Sequence, residues 1–414
     1  VKDYARIARK ITAVLFLVQS LSSAGFIALF TVNTLVGVEL TGQRALAGVP
    51  EAVRVLGQAF AALAWGYTME RIGRRRGLAI GQVVGVVGSG IAGAAVIARS
   101  FPVFLLGMVL MGMARASADL GRFAAAEVHL PTERGRAISN VVLGGTVGSV
   151  VGPLLVGPTG RWSLGVGFPE LAGPYSVGFL FWGLAGILVF TGLKPDPRDV
   201  GRELAQMNPH TVPHLGRTRA LPEILRQPGV IVAIVTVVFA QMVMVMLMVM
   251  TSVHMKVLQH PLTAVSLVIS VHALGMYAFS IISGRLTDRW GRGPVIILGS
   301  GLLILSCLMA APSARLLPLV IALFLLGLGW NFAYVAGSTL LADQLSPTER
   351  AKTQGFNDLL LGFAAAAGSF GSGMIFALSG YAVLGLVAAS AALVPLGLAV
   401  WWQLRGRLTP PAPI

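Results

Sequence analysis

Stretches of about 20 apolar residues recur along the whole chain, and short loops between them carry most of its charge. At about 1.5 Å of rise per residue, a helix of that length crosses the roughly 30 Å of hydrocarbon in a bilayer. The runs predict twelve spans, near 11–36, 48–69, 77–98, 102–126, 136–158, 174–193, 228–252, 263–283, 294–312, 316–342, 353–378 and 381–404. The division between the last two rests on Ser379 and Gly380. Unpaired backbone groups are costly in lipid, so apolar runs of this length imply an all-α polytopic membrane protein.

Composition excludes the soluble alternatives. Only 11% of the 414 residues are charged, against 55% hydrophobic, whereas a soluble domain carries about 25% charged residues. The basic start before Ile11 resembles the head of a secretion signal, but the apolar run to Val36 is too long and no small-residue cleavage site follows. It reads as the first span. Cys307 is the only cysteine, which rules out a disulfide framework or a cysteine zinc site.

The net charge of +15 is not a nucleic-acid footprint, because it is dispersed among the loops. Of the 31 Lys and Arg, 23 fall on one set of connections and five on the opposite set. The remaining three, Arg54, Arg115 and Arg122, lie within spans. The positive-inside rule then places both termini in the cytoplasm of a bacterial-type inner membrane. The longest connection, 194–227, is rich in proline and reads as a cytoplasmic linker between two six-span domains, 1–193 and 228–414.

These halves repeat each other. Pro-Thr-Glu-Arg follows span 4 at 131–134 and span 10 at 347–350, an offset of 216. Gly66, Glu70, Arg71, Gly73 and Arg74 return 218 positions later as Gly284, Asp288, Arg289, Gly291 and Arg292. Two motifs at nearly one offset indicate a duplicated six-span unit. Each Pro-Thr-Glu-Arg also suits a helix start, with Pro in the first turn and Glu at the positive dipole end. Glu133 and Arg134, with Glu349 and Arg350, are expected to pair with Arg71/Arg74 and Arg289/Arg292, latching the cytoplasmic side when the protein opens outward.

The Gly66–Arg74 motif, its weaker copy and the Pro-x-Glu-Arg-Gly loop resemble the signatures of the major facilitator superfamily over essentially the whole chain. Glu70 stands where that family usually has Asp. Span 5 holds Gly145, Gly148, Gly152, Pro153 and Gly157, an array similar to that of the drug/proton antiporter branch. Close helix packing is the other reading of these glycines. The chain departs from the branch at Gly107, near where an arginine is usual.

The resemblance implies two pseudo-symmetric six-helix bundles, a central cavity lined by spans 1, 4, 7 and 10, and transport by alternating access. In span 4, Arg115, Asp119 and Arg122 share one helical face. Intramembrane charges normally face a polar cavity or a partner, so this face reads either as a substrate or ion-pair site or as a lattice between helices. Other cavity candidates are Phe26, Phe30 and Asn33 on span 1, Gln241 on span 7, and Trp330, Asn331 and Tyr334 on span 10. The proton-coupling candidates are Asp358, Asp119 and Glu51. Asp358 has no basic neighbour on its own helix, and Glu51 also suits a helix start beside Arg54. Six methionines of span 7, from Met242 to Met255, suit either core filling or an adaptable wall. His254 and His260 are expected at a solvated end, with His272 packed inside.

No nucleophile–base pair, phosphate-binding loop or metal spacing occurs, so catalysis is not expected. The expected function is export of a lipophilic or amphipathic compound by a monomeric transporter, with the proton gradient in place of a cofactor. The alternatives are import or exchange of a small organic anion, lipid translocation and, last, a non-transport sensor or scaffold.

Overall fold

A computed structural model describes residues 3–130, 133–207 and 219–408. Pro131 and Thr132 of the first Pro-Thr-Glu-Arg copy, and 208–218 of the linker, lie outside the described residues, as does the side chain of Arg350.

The first half consists of α1 (Tyr4–Thr41), α2 (Val49–Ile72), α3 (Arg74–Ile97), α4 (Phe101–Asp119), α5 (Gly121–Glu127), α6 (Arg134–Leu154), α7 (Val156–Gly165) and α8 (Gly173–Gly192). Two linker helices follow, α9 (Pro197–Met207) and α10 (Leu221–Leu225). The second half consists of α11 (Pro228–Val257), α12 (Leu262–Tyr277), α13 (Ser280–Trp290), α14 (Arg292–Ala310), α15 (Leu316–Asp343) and α16 (Pro347–Leu408).

Ten of the described helices are long and apolar enough to cross a membrane, and a bent pair, Arg44–Ala62 with Ala64–Ile72, makes an eleventh. The last of the ten, Lys352–Leu404, has 53 residues, well over twice the length a span needs. It breaks at Gly380, whose φ of 78° only glycine adopts readily. Counting it twice gives the expected twelve.

Three spans are less regular than their apolar runs suggest. The fourth breaks at Leu120, between α4 and α5, directly after Asp119. The fifth breaks at Leu155, between α6 and α7, two residues after Pro153, which cannot donate a helix hydrogen bond. The eighth breaks between Tyr277 and Ser280. The described residues of the linker include two helices, with Pro197 in the first turn of α9 and Pro222 in that of α10.

The described residues of Val1–Gln43, Val49–Pro213 and Pro261–Ser270 form one compact unit, and those of Arg44–Gly48, His214–His260 and Val271–Ile414 form another. In the first unit α1 packs on α6, and a Cβ on Gly144, Gly148 or Gly152 would strike the carbonyl oxygen of Phe16, Ser20 or Ala24 respectively. One glycine per helical turn thus lets two backbones meet where a side chain would hold them apart. The packing reading of this array therefore has direct support. The apolar centre of this unit includes Ile11, Leu15, Met69, Leu78 and Val189.

In the second unit α11 packs on α15 and α16 around Val230, Ala233, Leu340 and Leu341. The segment 44–48 is held to α16 by a hydrogen bond from Ser369 Oγ to the Gly48 carbonyl, at 2.9 Å. Five of the six span 7 methionines, Met244, Met246, Met248, Met250 and Met255, are buried, as core filling requires.

Candidate functional site

Polar groups inside an apolar bundle must find partners, because lipid offers none. In the first unit they form one chain. Arg54 Nη2 donates to Glu51 Oε1 at 2.6 Å, and its Nε lies 3.0 Å from both carboxylate oxygens. Arg54 Nη1 then donates to Gln58 Oε1 at 2.8 Å, and Gln58 Nε2 to Asp119 Oδ2 at 3.1 Å. The other Asp119 oxygen faces Arg115 Nε at 3.1 Å, and Arg115 Nη1 donates to Ser23 Oγ at 3.2 Å. Glu51 and Arg54 are only 3% and 5% exposed, whereas Arg115 and Asp119 are half-buried.

Phe26 lies against both cations, with the Arg54 and Arg115 guanidinium carbons 4.6 and 4.8 Å from its ring centroid. A cation near an aromatic face is stabilised by the ring quadrupole, more so where water is scarce. Phe30 follows at 6.2 Å. The chain exists because Glu51, Arg54 and Gln58 lie on one stripe of α2 and Arg115 and Asp119 on one stripe of α4. Tight packing joins the two helices, since a Cβ on Gly112 would collide with the Arg54 carbonyl.

Two expected members stay apart from it. Arg122 is not a member: its guanidinium lies over Phe123 at 4.9 Å, with Nε buried and unpartnered among the described residues. Asn33 is fully buried and accepts a hydrogen bond from Tyr175 at 3.0 Å, which makes it a packing contact. The network itself contains two carboxylates and two guanidiniums, so its charge balances; Arg122, the third charge of the span 4 stripe, lies outside it.

The second unit supplies aromatic surface. Trp330 and Tyr334 stack at 4.7 Å and 19°, Tyr277 meets Trp330 edge-on at 6.4 Å, and Trp330 Nε1 donates to Gln241 Oε1 at 2.9 Å. Asn331 points elsewhere: its amide donates to the Met276 carbonyl at 2.6 Å and to Ser280 Oγ at 2.9 Å, bridging the break between α12 and α13. Asp358 does not turn into its bundle. It is exposed and accepts from Gln354 at 3.4 Å, while its neighbour Asn357 takes the buried face. His254 is also not simply solvated, as it stacks on Tyr381 at 4.1 Å. His272 is packed as expected, against the Leu323 carbonyl.

The latch residues pair differently from expectation. Arg74 bonds Glu127 at 2.6 Å and Arg292 bonds Asp343 at 2.7 Å, so equivalent arginines hold equivalent acids one span later. Asp288 is 3.9 Å from Arg292, and Arg289 is exposed. The turns at Gly73 and Gly291 share one backbone shape, with φ of 94° and 87°. Gly66 and Gly284 border open space. Glu133 and Arg134 are exposed, and Arg134 reaches only the His129 carbonyl, at 3.4 Å.

Glu349 is buried against the linker. Arg219 donates to it through Nε at 2.8 Å, Nη2 at 2.7 Å and its backbone N–H at 3.0 Å. These bonds and one from Ser346 N–H hold the Glu349 carboxyl well below the usual carboxylate range and raise the Arg219 guanidinium.

Gln58, Ser23, Tyr277 and the linker arginine Arg219 were not expected as site residues. Gln58 had a signal, since it continues the Glu51–Arg54 stripe by one turn.

The sequence profile of the Major Facilitator Superfamily matches residues 15–265 and 235–414. The chain belongs to that superfamily. It is 38% identical over 394 residues to the MFS-type transporter YdeG of Bacillus subtilis (strain 168), covering 94% of this chain and 90% of YdeG. It is 30% identical over 377 residues to the riboflavin transporter RfnT of Brucella anthropi, covering 91% and 92%. Among solved structures, a bacterial homologue of the human lysosomal transporter Spinster aligns over 100% of both chains, with a TM-score of 0.71 and 16% identity. Superfamily membership makes this a membrane transporter rather than an enzyme.

Two outcomes test the geometry. Removing one member of a buried ion pair costs about 3–5 kcal/mol, while removing both costs less. Glu51→Gln should therefore lower the unfolding temperature in detergent more than Glu51→Gln with Arg54→Gln; the reverse order contradicts the pairing.

A carboxyl held below its ordinary range contributes stability above that range, and the contribution fades as pH falls through the depressed value. Hydrogen exchange of 219–227, corrected for intrinsic rate, should stay constant from neutral pH to about 4.5, the ordinary carboxylate range. It should rise in Glu349→Gln at neutral pH.

Proposed function

We propose that this transporter exports a planar, amphipathic ring compound in exchange for protons by alternating access. The observation that carries this reading is the bonded chain Glu51–Arg54–Gln58–Asp119–Arg115. It holds a half-buried carboxylate in an apolar unit between a guanidinium and an amide, partners that a proton or a ligand donor can replace. A proton arriving at Asp119 loosens Arg115, and a substrate donor arriving there displaces the proton. Competition for one carboxylate is sufficient for exchange. Tyr334, half-buried and stacked on the buried Trp330, which bonds Gln241, offers an aromatic face on which a ring can stack. The full-length relative named for riboflavin, a fused-ring compound with a polar tail, agrees with that chemistry.

A second reading, uptake of a small organic anion together with a proton, is favoured by the two guanidiniums on Phe26. Protonating Asp119 would free Arg115 for the anion. The sign of the pH effect separates the two: exchange requires binding to strengthen as pH rises, and co-transport requires it to weaken.

The test is uptake of riboflavin and of cationic and anionic ring dyes into acid-loaded liposomes holding the purified protein. Exchange predicts gradient-driven uptake that Asp119→Asn abolishes. Trp330→Ala should weaken binding about 3- to 10-fold, from the loss of roughly 0.5–1.5 kcal/mol of stacking. Uptake that ignores the gradient contradicts the proposal.

A further inference from the structure

Away from the charge chain, the Arg-rich end of the first unit encloses a cup of about 480 Å³, lined by Tyr67, Glu70, Arg71, Arg74, Arg198 and Arg202. The last turn of α2, the first residue of α3 and one face of α9 build it. Two of its four guanidiniums are committed. Arg74 holds Glu127, and Arg198 holds Asp199 at 3.3 Å and the Glu70 and Arg71 carbonyls at 3.0 Å each. Arg198 thereby satisfies carbonyls left open at the end of α2, while Asp196 accepts from the first N–H groups of α3, at Arg74 and Arg75.

The other two are available. Arg71 stacks on Tyr67 at 4.2 Å and donates to its hydroxyl. Arg202 is exposed, without a partner among the described residues. Glu70 is the only acid in the lining. Two available cations and one acid leave a single positive charge, which one phosphodiester would balance.

The surroundings are those of a membrane surface. From the cup, α2 presents Tyr67, Ala64 and Phe60 as one exposed apolar stripe, with Tyr67 59% and Phe60 73% exposed. Eleven residues separate Phe60 from Arg71, about 16 Å along a helix that bends by 42° between Ala62 and Ala64, or roughly half the hydrocarbon thickness. On the same turn, Arg75 caps the Phe190 carbonyl and lies 4.8 Å over its ring, which is 62% exposed. Arginine beside an exposed aromatic ring at a span end is the arrangement of an interfacial anchor.

We propose that this cup binds one anionic phospholipid, its phosphodiester held by Arg71 and Arg202 and one acyl chain laid along Tyr67, Ala64 and Phe60. The linker helix α9 completes the site. In the second unit, the equivalent turn has Arg289 and Arg292, but Gly291 faces open space, whereas a Cβ on Gly73 would meet the Asp196 carboxylate. No described linker helix completes a cup there.

Native mass spectrometry of the purified protein with phosphatidylglycerol, phosphatidylcholine or inorganic phosphate tests this. Phosphatidylglycerol should be retained over phosphatidylcholine. Each arginine is expected to contribute about five-fold, so Arg71→Gln with Arg202→Gln should lose most of the retained lipid. Arg289→Gln should lose none, and Arg71→Lys with Arg202→Lys should keep most of it. An unchanged unfolding temperature without lipid shows that the double variant still folds. Equal retention of both lipids, equal loss in Arg289→Gln, or displacement of the lipid by phosphate at equal concentration would each overturn the proposal; the last would make the cup a site for soluble anions.

Discussion

Hydrocarbon cannot solvate a polar group, and the arrangement of this protein follows from that constraint. Every backbone group within a span must bond inside its own helix, so the spans are helical. Buried charges gain by bonding other side chains, and Glu51, Arg54, Gln58, Asp119, Arg115 and Ser23 join into one chain. The breaks in the spans sit beside polar side chains in two cases. Asn331 bridges the gap in the eighth span, and the gap in the fourth falls beside the charged chain, at Leu120.

The same constraint separates holding from working. Glu51 and Arg54 are almost fully enclosed and bonded at several points, which suits an anchor. Arg115 and Asp119 are half-buried and share fewer bonds, which suits a pair that opens. The loops divide likewise. Arg74–Glu127 and Arg292–Asp343 repeat in both units, while among the described residues the linker bonds the first through Asp196 and Arg198 and the second through Arg219. One duplicated frame therefore carries two different attachments of its connecting segment.

Much of the fold was legible in the sequence because span length and loop charge are properties of single segments. Even the weakest division, at Gly380, was marked by the residue that makes it. The site was less legible because its bonds run between helices. Arg115 and Asp119 were visible as one stripe, but a single-helix count could not foresee that Arg122 turns to Phe123, nor the Gly112 contact that brings Gln58 to Asp119. Asp358 misled for the converse reason: isolation on its own helix does not reveal which face turns inward, and here Asn357 takes that face. Glu349 was marked as a latch, but its partner, Arg219, came from the linker.

The central claim is that Asp119 exchanges its guanidinium partner for a proton as substrate comes and goes. Infrared difference spectroscopy of the reconstituted protein, with and without the transported ring compound, observes that carboxyl directly. The account predicts that substrate removes a protonated-carboxyl C=O band at low pH, and that the band is absent from Asp119→Asn but retained in Asp358→Asn. A substrate-linked band that survives in Asp119→Asn would place the coupling proton elsewhere and contradict the account.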